Sequence, residues 1–335
     1  MSTFASALIA WHRRHGRRGL PWQATRDPYR VWLSEVMLQQ TQVSAVIPYY
    51  ERFLRRFPDV WSLASASEED VLELWAGLGY YARGRNLHAA ARIIAGKGFP
   101  STAAAIAELP GVGRSTAAAI AAFAFGERAA ILDGNVKRVL SRCFAADGGE
   151  KELWQLAERL LPRRGIEIYT QALMDLGATV CTRRSPQCNR CPVQKNCIAR
   201  KQDRVAELPT PRPRKPLPQK RVTWLVLRRG GEVLLEKRPA PGIWGGLWSF
   251  PEAPAKHLES YCRSTLGCEL QSMKELEALE HGFTHFRLLI RPLLCEVAGK
   301  AQRAESAGRL WLDLADAAGA ALPTPVKKLL GRLSA

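Results

Sequence analysis

Leu109-Pro110-Gly111-Val112-Gly113-Arg114-Ser115-Thr116-Ala117 is the stretch on which the reading of this chain turns. Two glycines one residue apart, after Leu-Pro and before an alanine-rich run, mark a tight hairpin between two helices. Such a turn lets backbone N–H groups at a helix N-terminus approach an anion closely, which suits a nucleic-acid phosphate and reads no base sequence. Gly111 and Gly113 are the candidate backbone contacts. Some way downstream, Ile131-Leu132-Asp133-Gly134-Asn135-Val136-Lys137-Arg138 opens another helix. Asp133 there reads both as an N-cap and as a carboxylate held near a developing positive charge, and the two roles are compatible.

Upstream of the hairpin lies Val31-Trp32-Leu33-Ser34-Glu35-Val36-Met37-Leu38-Gln39-Gln40-Thr41-Gln42-Val43. Glu35 is the only acid between Asp27 and Glu51 and sits in a largely apolar helix. A carboxylate so placed needs partners or a raised pKa, and such groups are often functional; the plainer alternative is an exposed Glu on a half-polar face. Gln39, Gln40 and Gln42 supply neutral donors and acceptors able to reach base edges or fill a gap in a base stack. Downstream, Cys181, Cys188, Cys191 and Cys197 are separated by six, two and five residues. Four thiolates on one short loop can wrap a soft metal centre, and spacing alone leaves zinc and an iron–sulfur cluster both open. Cys143, Cys262, Cys268 and Cys295 are scattered, so the eight cysteines do not read as a disulfide framework.

Whole-chain composition favours the same kind of partner. A length of 335 residues exceeds one ordinary core and predicts two domains. With 47% hydrophobic residues, general disorder, collagen and coiled coil are excluded. A formal charge of +18 points to a polyanion. No secretory or membrane-spanning run is found, which predicts an intracellular protein whose polyanionic partner is nucleic acid or an acidic membrane surface. Residues 209–221 carry five prolines, five basic residues and no acid, and are assigned as a linker. Residues 1–208 hold 29 basic against 19 acidic side chains, so the front domain and linker carry most of the attraction.

The front domain, 1–208, reads as all-α, with helices expected over 3–15, 30–57, 68–74, 83–97, 102–108, 115–125, 136–143 and 151–161. The back domain, 222–335, reads as α+β, with strands over 222–227, 233–236 and 288–295 and a helix from Ala255 to Leu266.

The order of Glu-bearing helix, helix-hairpin-helix, Gly-Asn aspartate and four-cysteine loop resembles the endonuclease III superfamily of DNA glycosylases. Leu20-Pro21-Trp22, the run 32–43 and Gly77-Leu78-Gly79-Tyr80-Tyr81-Ala82-Arg83 make the chain similar to the MutY-type adenine glycosylases over nearly its whole length. The resemblance implies a [4Fe–4S] cluster on the loop 181–197. It implies a back domain of the Nudix-like (MutT-like) kind beginning near Arg238-Pro239-Ala240-Pro241-Gly242-Ile243-Trp244. No Arg-Glu-x-x-Glu-Glu cluster follows, and His257, Glu259 and Arg263 cannot assemble a magnesium site, so that domain is expected to recognise without hydrolysing.

The same resemblance implies a cytoplasmic, nucleoid-associated monomer with no membrane partner, acting on duplex DNA that holds adenine opposite 8-oxoguanine or guanine. Glu35 would be the general acid and activator of water, Asp133 the stabiliser of the oxocarbenium ion, and Asn135 its orienter. Trp22 and Gln171 match positions near the adenine, and Tyr80 matches the wedge beside the lesion. Phe283-Thr284-His285 matches a Phe-Ser-His lesion-reading loop, with Thr284 in place of Ser. Lys137 is expected on a phosphate. Bifunctional relatives carry a nucleophilic Lys after Gly-Val-Gly-Arg; here Ser115 stands there, and a hydroxyl forms no Schiff base. Two alternatives are a bifunctional pyrimidine glycosylase-lyase, against which Ser115 and the back domain speak, and a non-enzymatic damage sensor, which would need neither Glu35 nor Asp133.

Overall fold

The computed structural model describes residues 3–210, 216–239, 242–254, 257–298, 308–317 and 320–333. Residues 211–215 of the expected linker, Ala240 and Pro241, and Ala255 at the start of the expected helix lie outside the described residues. Two compact units emerge, Met1–Ala66 with Ala82–Pro213 and Ser67–Tyr81 with Arg214–Ala335. The second therefore takes in a segment that the sequence assigns to the front domain.

The first unit is helical: α1 (Thr3–His15), α2 (Pro28–Leu38), α3 (Val43–Arg56) and α4 (Val60–Ser65) precede the segment that carries α5 (Glu68–Trp75). After it come α6 (Tyr81–Lys97), α7 (Ala103–Ala107), α8 (Arg114–Ile120), α9 (Gly134–Phe144), α10 (Glu150–Arg159), α11 (Ile166–Asp175) and α12 (Ile198–Lys201). Asp27 caps α2 by accepting from the backbone N–H of Tyr29 and Arg30, and Pro28 fits the first turn, where no N–H is needed. Leu8, Ala118, Val136, Leu140 and Leu173 join α1, α8, α9 and α11 in one buried cluster.

The single helix expected over 30–57 is two helices. Arg83, on α6, donates to the carbonyls of Val36 (3.0 Å), Met37 (2.8 Å) and Gln39 and to Thr41 Oγ1 (3.0 Å). It supplies the donors that a continuing helix would have supplied to the last carbonyls of α2. The chain turns there through Gln40 at φ 56°. Local composition favours helix throughout this run; a buried guanidinium brought from more than forty residues away ends it.

In the second unit the described strands are β1 (Gln219–Arg229), β2 (Glu232–Lys237), β3 (Trp248–Ser249), β4 (Leu270–Glu275), β5 (Leu279–Gly282), β6 (Arg287–Val297) and β7 (Arg309–Asp313). They form one mixed sheet ordered β3-β2-β1-β6-β4, with β5 also on β6 and β7 on β2. β1 and β6 run parallel from Gln219↔Arg287 to Arg228↔Glu296. Trp224–Leu227 in the middle of β1 is buried on both faces, which is why it reads as a continuous apolar run. On one face Trp224, Val226 and Ile290 pack with Val326, Leu329 and Leu330 of the helix Thr324–Leu333. On the other, Leu225, Leu227 and Cys295 pack with Cys262 of the helix Leu258–Ser264.

Helix α5 belongs to this unit because Leu72 enters the Trp224 cluster. Glu69 accepts from Trp248 Nε1 at 2.7 Å and pairs with Lys237 Nζ at 3.0 Å. These contacts hold the loop that follows α5, where Gly77, Gly79 and Tyr80 all have positive φ. Among the described residues no helix is long and apolar enough to cross a membrane.

Candidate active site

Helices α2, α8, α9 and α11 of the first unit frame a cleft of about 1330 Å³ lined by Trp22, Glu35, Gln39, Gln40, Asp133, Asn135 and Gln171, among others. Seven of the residues singled out in the sequence, drawn from positions 22 to 171, meet on this wall. The volume exceeds that of an ordinary small-molecule pocket and suits a polymer segment with one base turned inward.

Glu35 is half-buried and lines the cleft, flanked along α2 by the buried Leu33, Ser34, Val36 and Met37. Burial, and secondly the charge of Asp133, push it up to about 8. At neutral pH it therefore holds a proton, which is what a general acid requires. Asp133 is the N-cap of α9, with Oδ1 accepting from Val136 N at 2.7 Å. Asn135 Nδ2 reaches Asp133 Oδ2 at 3.5 Å, the edge of hydrogen-bond range, while its Oδ1 accepts from Arg138 at 2.8 Å. The cap does not remove Asp133 from the cleft: the Val136 N–H aims one oxygen, and the residue still lines the cleft wall.

Trp22 is buried edge-on against Tyr50, with ring centroids 5.3 Å apart. Gln39 Nε2 donates to Thr116 Oγ1 at 3.3 Å and Gly111 O at 3.4 Å, tying the end of α2 to the hairpin. Gly111 has φ 76°, and a Cβ there would stand 2.7 Å from Asn86 Cβ, so glycine is required twice over. Gly113 is the N-cap of α8. Ser115 lines the cleft and accepts from Leu132 N at 2.9 Å, bracing the residue before Asp133. Lys137 is not part of the cleft lining; it pairs with Glu150 at 3.0 Å on the surface. The sequence places it one helical turn from Asp133, but the helix turns its side chain toward α10.

Cys181, Cys188, Cys191 and Cys197 line a second, small cavity together with Arg142 and Arg200. Cys143, scattered in sequence, lines it too and is hydrogen-bonded to Cys197. Arg142, almost fully buried, binds the carbonyls of Thr182 (2.7 Å), Arg183 (3.2 Å) and Leu208 (2.8 Å) and lies 3.4 Å from Cys181 Sγ. Arg138 joins Cys181 O at 2.7 Å to Asn135, so α9 serves both sites. Among the described residues no three His, Cys, Asp or Glu side chains group around a single-ion position. Thiols gathered around a shared cavity, with cations beside them, suit a soft metal centre.

In the second unit Thr284 and His285 are the exposed tip of the β5–β6 hairpin, closed by Phe283 N donating to Phe286 O at 2.9 Å. Phe283 stacks on Phe286 at 4.5 Å and meets His281 edge-on at 4.8 Å and Trp244 at 5.4 Å. Phe283 is thus held by aromatic contacts, while Thr284 and His285 stand exposed beyond it. Tyr80 is 47% exposed with φ 51°, a conformation that costs a non-glycine residue free energy and here displays a large ring to solvent.

Residues 33–163 match the HhH-GPD superfamily of base excision DNA repair proteins, and residues 222–332 match a NUDIX domain. The adenine DNA glycosylase of Buchnera aphidicola subsp. Baizongia pistaciae (strain Bp) is 35% identical over 339 residues, covering 98% of this chain and 96% of that protein. The chain belongs to the adenine DNA glycosylases.

The Homo sapiens adenine DNA glycosylase is 34% identical over 98% of this chain and 73% of its own length. A thermostable thymine-DNA glycosylase is a structural match at 30% identity and TM-score 0.56, over 59% of this chain and 95% of that one. Endonuclease III from a non-covalent DNA complex matches at 22% identity and TM-score 0.52, over 60% and 96%, and shows the fold alone. This glycosylase is accordingly a DNA-binding base-excision-repair enzyme with a helix-hairpin-helix domain and a Nudix-like domain, which sets aside the non-enzymatic reading.

Arg83, Arg138, Arg17 and Asp175 escaped the sequence reading. Arg83 closes the motif Gly77-Leu78-Gly79-Tyr80-Tyr81-Ala82-Arg83, but that it ends α2 shows only in three dimensions. The helix Ile166–Asp175, which carries Gln171, was also missed, because it starts after Gly165 with no side-chain cap.

Proposed function

We propose that this glycosylase removes adenine from opposite 8-oxoguanine in duplex DNA by hydrolysis and leaves the strand intact. The observation that carries it is Glu35, held up at about 8 and sharing one cleft with Asp133. Adenine flipped into the cleft would receive the Glu35 proton at N7 as the C1′–N9 bond breaks. The Asp133 carboxylate, oriented by Asn135, offsets the positive charge on the sugar. The Glu35 carboxylate then takes a proton from water, whose oxygen bonds to C1′ while the base departs. Trp22, Gln39, Gln40 and Gln171 would receive the base and the gap it leaves. Gly111, Gly113 and, after exchange of its surface ion pair, Lys137 would hold the phosphates. Tyr80, Phe283, Thr284 and His285 would address the damaged guanine; the exposed hydroxyl of Thr284 retains the donor of the family's Ser.

The four cysteines fit a [4Fe–4S] cluster, as the superfamily resemblance implies. When bound, it would staple the Cys181–Cys197 loop and its arginines onto α9. Cytoplasmic, monomeric action belongs to the same proposal and follows the resemblance.

Single-turnover excision from A:8-oxoguanine and A:guanine duplexes tests the reading. His285→Ala with Thr284→Ala should lower the preference for the lesion by about tenfold or more, since one or two hydrogen bonds are lost only when the lesion is present. A fall by the same factor on both duplexes would assign the hairpin to folding or general binding. Point variants are needed here, because truncation after the linker would strip Leu72 and Glu69 of their partners in the second unit.

Strand chemistry is tested at Ser115. The unaltered enzyme should leave abasic strands that break only in alkali, and Ser115→Lys should gain some alkali-independent nicking. Base release should slow in that variant, because Leu132 N loses its acceptor beside Asp133. Efficient nicking by the unaltered enzyme would refute the hydrolytic assignment.

A further inference from the structure

We propose that Asp175 is a positioning residue that fixes which end of the Gln171 amide faces the base cleft, so that the enzyme accepts a 6-aminopurine and rejects a 6-oxopurine. The inference rests on the reading that the cleft receives the flipped base. Asp175 is fully buried at the end of α11 and takes no part in the chemistry described above. Its Oδ1 accepts from Gln171 Nε2 at 2.9 Å and from Arg17 Nε at 2.7 Å. Its Oδ2 accepts from Arg17 N at 2.8 Å and lies 3.3 Å from His12 Nε2. Burial pushes this carboxyl up, but His12 and Arg17 more than offset it and hold it below its ordinary value.

An ionised carboxylate only accepts, so the atom of Gln171 facing it must be the NH2 group. The amide is planar, with oxygen and nitrogen on opposite sides of its carbon, and one turn along α11 sets the distance between the two side chains. Gln171 lines the cleft, and with Nε2 turned to Asp175 the end it presents elsewhere is Oε1, an acceptor. An exocyclic 6-amino group donates to that oxygen. A 6-oxo group would place acceptor against acceptor and leave a buried polar pair unsatisfied, which discriminates more strongly than any difference in shape. Without a fixed neighbour, a glutamine amide flips and reads either group. Arg17, pinned through both backbone and side chain, keeps Asp175 from swinging to satisfy the other orientation.

The test is single-turnover excision of adenine and of hypoxanthine, each opposite 8-oxoguanine, by the full-length enzyme and by Asp175→Asn. Asparagine keeps the size of the side chain but offers one acceptor where Gln171 and both Arg17 contacts use two, so its hold on the Gln171 amide loosens and the hypoxanthine-to-adenine rate ratio should rise about tenfold or more. An unchanged ratio, including a fall of both rates by one factor, overturns the proposal. Should Asp175→Asn not fold, Gln171→Met serves: removing a fixed acceptor should raise the same ratio while slowing adenine release. Slower adenine release with an unchanged ratio overturns the positioning role alone. Adenine release and ratio both unchanged in Gln171→Met would place Gln171 away from the base, which removes the underlying reading as well.

Discussion

Glu35→Gln is expected to bind duplex DNA as the unaltered enzyme does and to release adenine at least about a hundredfold more slowly, the usual scale of one general acid. Glutamine keeps the size and hydrogen bonding of the protonated carboxyl and removes only the transferable proton, so near-normal turnover would take Glu35 out of the chemistry. The pH profile supplies an independent check. With the carboxyl raised to about 8, the acid form is present below that value, and excision should fall as pH rises through it. Stability should move in a linked way. Between the ordinary carboxyl range and about 8 the folded state holds a proton that the unfolded state has released, so the unaltered enzyme loses stability as pH rises across that window. Glu35→Gln carries no such penalty, and its melting temperature should exceed that of the parent by a margin that grows toward pH 8. An active site that destabilises the fold when ionised is the expected counterpart of a carboxyl kept in an apolar wall.

Asp133→Asn should separate the two roles that meet in one side chain. Asparagine caps helices about as well as aspartate, so the hydrogen bond to Val136 N survives and the melting temperature should change little. The charge that offsets the oxocarbenium ion is lost, and excision should fall by about a hundredfold or more, comparable to removing one preorganised electrostatic partner. Because the Asp133 charge is also one cause of the raised Glu35 carboxyl, the alkaline limb of any residual activity should move to lower pH. A variant with full activity would leave Asp133 as a cap only. A variant with an unmoved alkaline limb would mean that burial alone sets Glu35.

Local chemistry made much of this legible in one dimension. The hairpin at Gly111 and Gly113, the Asp133 cap and the apolar run around Glu35 depend on residues within a turn or two, and backbone conformation answers to such neighbours. The central strand around Trp224–Leu227 was legible because burial on both faces leaves an unbroken apolar run. Four cysteines within seventeen positions announce a shared ligand, although Cys143, the fifth in that cavity, looked unrelated because α9 brings it there from outside the loop.

What tertiary structure alone decided are the places where distant polar groups meet. The break between α2 and α3 follows from Arg83 satisfying carbonyls that α2 leaves open. The assignment of α5 to the second unit follows from Leu72 and Glu69 meeting partners more than 150 positions away. The orientation of the Gln171 amide follows from a buried carboxylate that Arg17 holds in place. Residue type and spacing state which groups a chain possesses and which turns it can make. Which buried donor meets which buried acceptor depends on the packing of helices that are not neighbours in sequence, and the free-energy cost of an unpaired polar group makes that meeting decisive once the core has closed.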